Sequence, residues 1–92
     1  ESNLHYANLR HANCEHAIIR LSNLEDADLT GARLRNANLS GSNLKRLDLR
    51  FVDLENADLT RTVLLEAVIA TGQLDTVKSL SGAILPNGLK AE

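Results

Sequence analysis

Aromatic side chains are almost missing from this chain: Tyr6 and Phe51 are the two among 92 residues, and there is no tryptophan and no methionine. A core without large rings has to be assembled from many small, equivalent contacts of leucine and alanine, which favours repetition over one irregular packing. A single cysteine, Cys14, excludes an intramolecular disulfide and makes a reducing compartment the simpler reading. Charge of one sign is also lacking. Ten basic against twelve acidic residues leave a net charge of −2, too weak a field to draw the chain to nucleic acid or to an anionic membrane. No run approaches the roughly 18 apolar residues of a membrane span, and the opening ESNLHYANLR has neither the charged nor the apolar region of a secretion signal. The length allows one domain.

What the chain has instead is a rhythm of five. Stepping by five from Leu4 to Leu74 meets an apolar residue every time, with Cys14, Ile19 and Ile69 the three that are not leucine. Two residues before each stands a small side chain, except at Leu47 and Val52, and the position between is mostly Asn or Asp. Such a stripe would turn about 500° per step on a helix and smear apolar residues over its whole surface, so a leucine-rich helix is excluded. A five-residue unit is too short to stand alone, and several must close one lap of a solenoid. Serine or threonine fills the small position at Ser2, Ser22, Ser42 and Thr62, a spacing of twenty, so four units make a lap. The same offset aligns Asn3, Asn23 and Asn43 as an amide ladder, and alternates charge in Glu15, Arg35, Glu55 and in Asp26, Arg46, Glu66. The physical reading is a square tube with the leucines and small residues inward and the other three outward. Asn and Asp are expected at its tight corners.

The unit of a small residue, Asp or Asn, Leu and two variable positions runs without a gap through fifteen copies from Ser2 to Leu74, and resembles the pentapeptide-repeat family. The resemblance implies a right-handed quadrilateral β-helix: an all-β solenoid of about four coils with 20 residues per coil. The stretch TGQLDTVKSLSGAILPNG is similar to segments that close such tubes with a short helix and a GA-x-LP-[DN]-G turn. The domain reading is therefore a repeat β-helix over 1–74 and a C-terminal cap over 71–92. Thr71 is an expected N-cap, Leu74, Val77 and Leu80 fall at helical spacing near 72–80, and Gly82 and Pro86 stop the helix. The phase breaks at Ser79, where an apolar residue is due. Ile84 and Leu85 complete the cover, PNG turns the chain away, and from Lys90 the tail is read as disordered. Leu47 and Val52 put bulk into adjacent walls of one lap, which should distort it, and Cys14 is read as an inert buried thiol. The chain starts in phase with no polar cap, as a piece of a longer protein would.

No catalytic constellation emerges. The recurring serines point inward, no GxSxG or phosphate-binding glycine loop occurs, and Asp28, Asp48 and Asp53 sit at repeat-defined positions. His5, His11 and His16 do not share a site with Cys14, which faces inward while His11 and His16 face outward near different corners. The reading is of a chain without enzymatic activity, cofactor or metal. The surface offers KRLDLRF, with Lys45, Arg46, Arg50 and Phe51, and Tyr6 and Leu21 are the further apolar exceptions on a polar skin; aromatics and Arg are enriched in interface hot spots.

The expected role is a non-catalytic interaction or scaffold module, a rigid rod with ladder-patterned faces within a larger adaptor, binding a protein partner rather than nucleic acid or a membrane. Eukaryotic tubes that look like this one occur joined to a BTB (potassium-channel-tetramerisation-type) domain, which suggests a cytoplasmic adaptor. One alternative is a DNA-mimic topoisomerase-binding protein of the quinolone-resistance type, which needs a strongly anionic rod. Another is a free-standing cyanobacterial or thylakoid-lumen protein. The open first lap, Leu4, Leu9, Cys14 and Ile19, points to end-to-end self-association.

Overall fold

A computed structural model describes residues 3–91. Ser2, which heads the serine column, lies outside the described residues, as does Glu92. Backbone pairing consists of parallel bridges twenty residues apart, from Asn3↔Asn23 to Asp48↔Val68, so the register read from the serine column is the register of the fold. Each five-residue unit lies flat at its Asn/Asp position and then turns over two residues, and four such turns return the chain to the same side one lap on. We number the sides by their outward columns: side 1 carries Asn3, Asn23, Asn43, Val63 and Ile84; side 2, Asn8, Asp28, Asp48 and Val68; side 3, Asn13, Arg33 and Asp53; side 4, Ile18, Asn38, Asp58 and Ser79. The laps are residues 3–22, 23–42 and 43–62, followed by the chain from 63 onward. The molecule measures 30 × 22 × 22 Å.

The leucine stripe fills the interior. Leu24, Leu34, Leu39, Leu44, Leu49, Leu54, Leu59 and Leu64 are all buried, and burying each side chain contributes about 1.5–3 kcal/mol relative to leaving it in water. In the first lap Leu4, Leu9, Cys14 and Ile19 pack against this core but stay half-buried. Cys14 is thus free and only partly covered, where the sequence had suggested a buried thiol.

The corners are β-turns closed by a hydrogen bond from the small residue to the preceding leucine, as from Ala27 N–H to Leu24 C=O at 3.0 Å. Their second residue has positive φ, between 56° and 72°, whether it is Tyr6, His16, Leu21, Arg46, Glu66 or a glycine such as Gly31, which is the type II geometry. Asn and Asp occupy some of these corners, at Asp26, Asn36 and Asn56, but most stand one step earlier, on the flat sides, and cap the turn: Asn23 Oδ1 accepts from Glu25 N–H at 3.0 Å, and Asp58 Oδ1 from Thr60 N–H at 3.0 Å. Because Asn3, Asn23 and Asn43 spend their amide oxygens on their own turns, the proposed side-chain ladder is not what joins them. An amide ladder occurs elsewhere, from Asn56 Nδ2 to Asn36 Oδ1 at 2.5 Å, on a corner.

The C-terminal segment also departs from expectation. Among the described residues, helical backbone is confined to one 3-10 turn, Gln73–Asp75, preceded by Gly72 at φ 78°, rather than a helix near 72–80 capped by Thr71. The next bridges are Asp58↔Ser79 and Val63↔Ile84, twenty-one residues apart. One inserted residue therefore shifts the phase, and the repeat resumes with Leu80 and Leu85 in the central position and Ala83 fully buried. Leu74, Val77 and Leu80 still pack against the leucine core, Leu74 from the 3-10 turn, Val77 from a bend and Leu80 from extended chain. The tail is paired: after the turn at 86–88 the chain reverses, Ile84 bridges Lys90 antiparallel, and Ala91 N–H donates to Ala83 C=O at 2.7 Å.

Candidate protein-docking surface

The residues singled out from the sequence fall on the two corners that flank side 2. Tyr6, Lys45 and Arg46 stand on the corner between sides 1 and 2, and Arg50 and Phe51 on the corner between sides 2 and 3. The twenty-residue register places Tyr6 and Arg46 in one column with Asp26 between them. The fold therefore groups all five about one side, with Asn8, Asp28, Asp48 and Val68 as its floor.

Tyr6 is 74% exposed and its ring stacks on His5 with centroids 4.1 Å apart. His5 Nε2 in turn lies 3.1 Å from Asp26 Oδ2, so the aromatic pair is tied to the second lap. Arg46 bonds the Glu25 carboxylate and reaches Glu66 at 3.9 Å. The ladder expected for Asp26, Arg46 and Glu66 is thus displaced by one residue, to Glu25, on the upstream side. Lys45 is half-buried and its ammonium has no carboxylate partner among the described residues.

At the other corner Arg50 grips Asp48 with two bonds, Nε to Oδ1 at 3.0 Å and a terminal nitrogen to Oδ2 at 2.8 Å. That hydrogen bonding holds the Asp48 carboxyl down at about 2 and raises the Arg50 guanidinium above its ordinary value. The same guanidinium sits 5.7 Å from the centre of the Phe51 ring, a cation–π arrangement worth about 0.5–1 kcal/mol at an exposed site. Phe51 is 69% exposed. It is also absent from the corner residues with positive φ, so this turn alone between Tyr6 and Glu66 departs from the type II pattern. The basic stretch is therefore not a bare positive patch, since both arginines are neutralised locally and the apolar ring is the unspent feature.

Three exposed apolar residues were missed in the sequence, one of them Leu89 in the tail. The other two, Ile18, 77% exposed, and Val68, 46% exposed, occupy the flat outward position where Asn or Asp is usual, a substitution visible in the repeat alignment. Val68 extends side 2 below Asp48, and Ile18 lies on side 4. On the corner between sides 3 and 4, Arg35, Asn36, Glu55, Asn56 and Thr76 line a shallow polar recess of about 380 Å³. Arg35 is spent there on Asp53 and Glu55, at 3.1 and 3.0 Å. His11 and His16 lie on different corners, and no group of metal-ligating side chains forms among the described residues.

The profile of pentapeptide repeats matches residues 1–36 and 22–61. A solved structure of alr5209, a pentapeptide repeat protein from Nostoc PCC 7120, is similar at 38% identity over 90% of this chain and 64% of its own, with a TM-score of 0.70. HetL, a pentapeptide repeat protein involved in heterocyst differentiation regulation in Nostoc sp. strain PCC 7120, is similar at 32% identity over 97% of this chain and 43% of its own, TM-score 0.56. The chain thus spans less than two thirds of the length of either structure. A search of curated proteins finds no match.

Proposed function

Because the chain belongs to the pentapeptide-repeat family and has that family's quadrilateral β-helix, we propose that it is a non-catalytic docking module, a rod of about four coils that presents side 2 to a protein partner. The observation that carries this reading is the exposed Phe51 ring with the Arg50 guanidinium over it, on the side that also carries Tyr6 and Val68. Aromatic residues paired with arginine are the usual anchors of protein interfaces, and a rigid wall presents them without an ordering cost. The module acts within a larger cytoplasmic adaptor, and a BTB-type domain encoded upstream would support that origin. The test uses the full-length protein as bait, wild type against Phe51→Ser and against Arg46→Glu with Arg50→Glu. The expected result is a partner retained by the wild type and lost from both variants while their melting temperatures stay within a few degrees. Equal retention by all three removes the proposal.

The likeness to the two Nostoc structures favours a second reading, a free-standing cyanobacterial-type tube. A coding sequence that runs from a targeting peptide straight into the repeats would select it. The DNA-mimic alternative draws little support from a net charge of −2 and from carboxylates matched by Arg10, Arg35, Arg46 and Arg50. Gyrase supercoiling unaffected by micromolar protein would close it.

A further inference from the structure

Side 2 is not paired like the other three. Between the second and third laps, Leu24 N–H donates to Asn43 at 2.9 Å, Leu34 to Asp53 at 2.8 Å and Leu39 to Asp58 at 2.9 Å. The return bonds on those sides run from Asn43 to Ser22, Asp53 to Ala32 and Asp58 to Ala37, at 2.9 to 3.1 Å. On side 2 both are missing: neither Leu29 N–H nor Asp48 N–H has a partner among the described residues. The bridges Asn8↔Asp28 and Asp48↔Val68 form above and below, but Asp28 and Asp48 do not bridge. The flanking corners share the defect. Asn36 N–H reaches Glu55 at 3.0 Å and Gly41 N–H reaches Thr60 at 2.8 Å, whereas the N–H groups of Asp26 and Gly31 have no partner among the described residues.

The missing bonds are contiguous, from Asp26 to Gly31, on one side and at one level. Two features of the sequence converge there. Leu47 occupies the small inward position that Ala7, Ala27 and Ala67 hold in the same column, and it is 2% exposed. Its own turn bond, to Leu44 at 3.3 Å, is the longest of the corner bonds between small and central residues. Asp28 and Asp48 would, if the laps closed, stand directly opposite one another as like charges. The bulk of Leu47 acts from inside, while outside each of the two carboxylates is held by its own arginine, Arg10 on Asp28 and Arg50 on Asp48, and Phe51, next along the chain, takes the exceptional turn.

We propose that this seam, between residues 26–31 and 45–50, is a water-filled opening about which the tube flexes. The unpaired N–H groups of Asp26, Gly31 and Asp48 belong to exposed or half-buried residues, where solvent meets them, and Leu29, 3% exposed, is reached by water as the seam opens. Sides 1, 3 and 4 stay bonded and act as the hinge. Opening there changes the separation of Tyr6, in the first lap, from Phe51, in the third, but the inference does not depend on the docking reading.

Amide hydrogen exchange on the 92-residue chain, read residue by residue by NMR, tests it. The amides of Asp26, Leu29, Gly31 and Asp48 are expected to exchange roughly 100-fold or more faster than those of Leu24, Leu34 and Leu39. Equal protection across the two sets overturns the seam. Leu47→Ala, which gives this lap the composition of its neighbours, is expected to slow the four seam amides selectively. A folded Leu47→Ala protein with all four still fast overturns the wedge.

Discussion

The serine column has a task that Ser42 shows in detail, and Ser42→Ala tests it. At most corners the small residue's N–H bonds the carbonyl three residues back. At the last corner of the first lap a bridge runs through the next lap: Ser22 N–H donates to Ser42 Oγ at 3.1 Å, and Ser42 Oγ–H donates to Ile19 C=O at 2.5 Å. Ser42 is completely buried, so its hydroxyl serves two backbone groups that have little water to turn to. Each net bond is worth about 1 kcal/mol, and a buried group left unmet costs about 1–3 kcal/mol, so losing the hydroxyl should cost about 2–3 kcal/mol. Thr62, equivalent in the next lap, is the internal control. Its Oγ1 donates to Leu59 C=O at 2.9 Å, but that carbonyl also accepts from Thr62 N–H at 3.2 Å, so Thr62→Ala should cost about 1 kcal/mol or less. Urea denaturation followed by circular dichroism measures both. In a domain this small the Ser42 variant should melt roughly 10–20 °C lower. If Ser42→Ala is no more destabilising than Thr62→Ala, the turn closes directly from Ser22 to Ile19 and the bridging argument fails.

Three further perturbations follow from the same geometry. Gly31 has φ +72° and a Cβ there would fall 2.4 Å from His11 Nδ1, so Gly31→Ala should destabilise by about 1–2 kcal/mol; a double-mutant cycle with His11→Ala should recover part of that, and additive effects would refute the contact. Asp48 titrates at about 2, well below an unfolded aspartate near 3.9, so its contribution is complete above about pH 4 and is lost as the pH falls toward 2. Arg50→Ala should move its NMR titration upward, and an unchanged midpoint would show that Arg50 is not the cause. The half-buried first-lap residues Leu4, Leu9 and Ile19 lead to the expectation that this 92-residue polypeptide self-associates end to end, with Leu9→Lys monomeric; a wild-type monomer at all concentrations in sedimentation contradicts it.

The register was readable because it is written in a buried column. Ser22, Ser42 and Thr62 each carry a hydroxyl that bonds a backbone carbonyl, so their spacing reports the lap length directly. The cap was misread for an equally physical reason. Leu74 belongs to the old phase and Leu80 to the new one, and a single residue inserted between them produces spacings of three and six that imitate a helix face. Nothing local distinguishes the two, because the decision rests on bonds from Lys78 and Ile84 to Ala57 and Thr62, one lap away. The docking surface lies between these cases. Its position followed from the repeat, and the disturbance expected of Leu47 and Val52 takes two forms, lost pairing beside Leu47 and the exceptional turn that Val52 closes, while the Arg33↔Asp53 bridge stays intact. Its charge did not follow. Arg46 finds Glu25 twenty-one residues upstream rather than Asp26 at twenty, and Arg50 folds back on Asp48 within its own unit, because long side chains choose partners by reach and not by column. An outward column in such a tube therefore predicts which side chains are neighbours. It does not predict which charges remain for a partner, and here what remains is mainly the ring of Phe51.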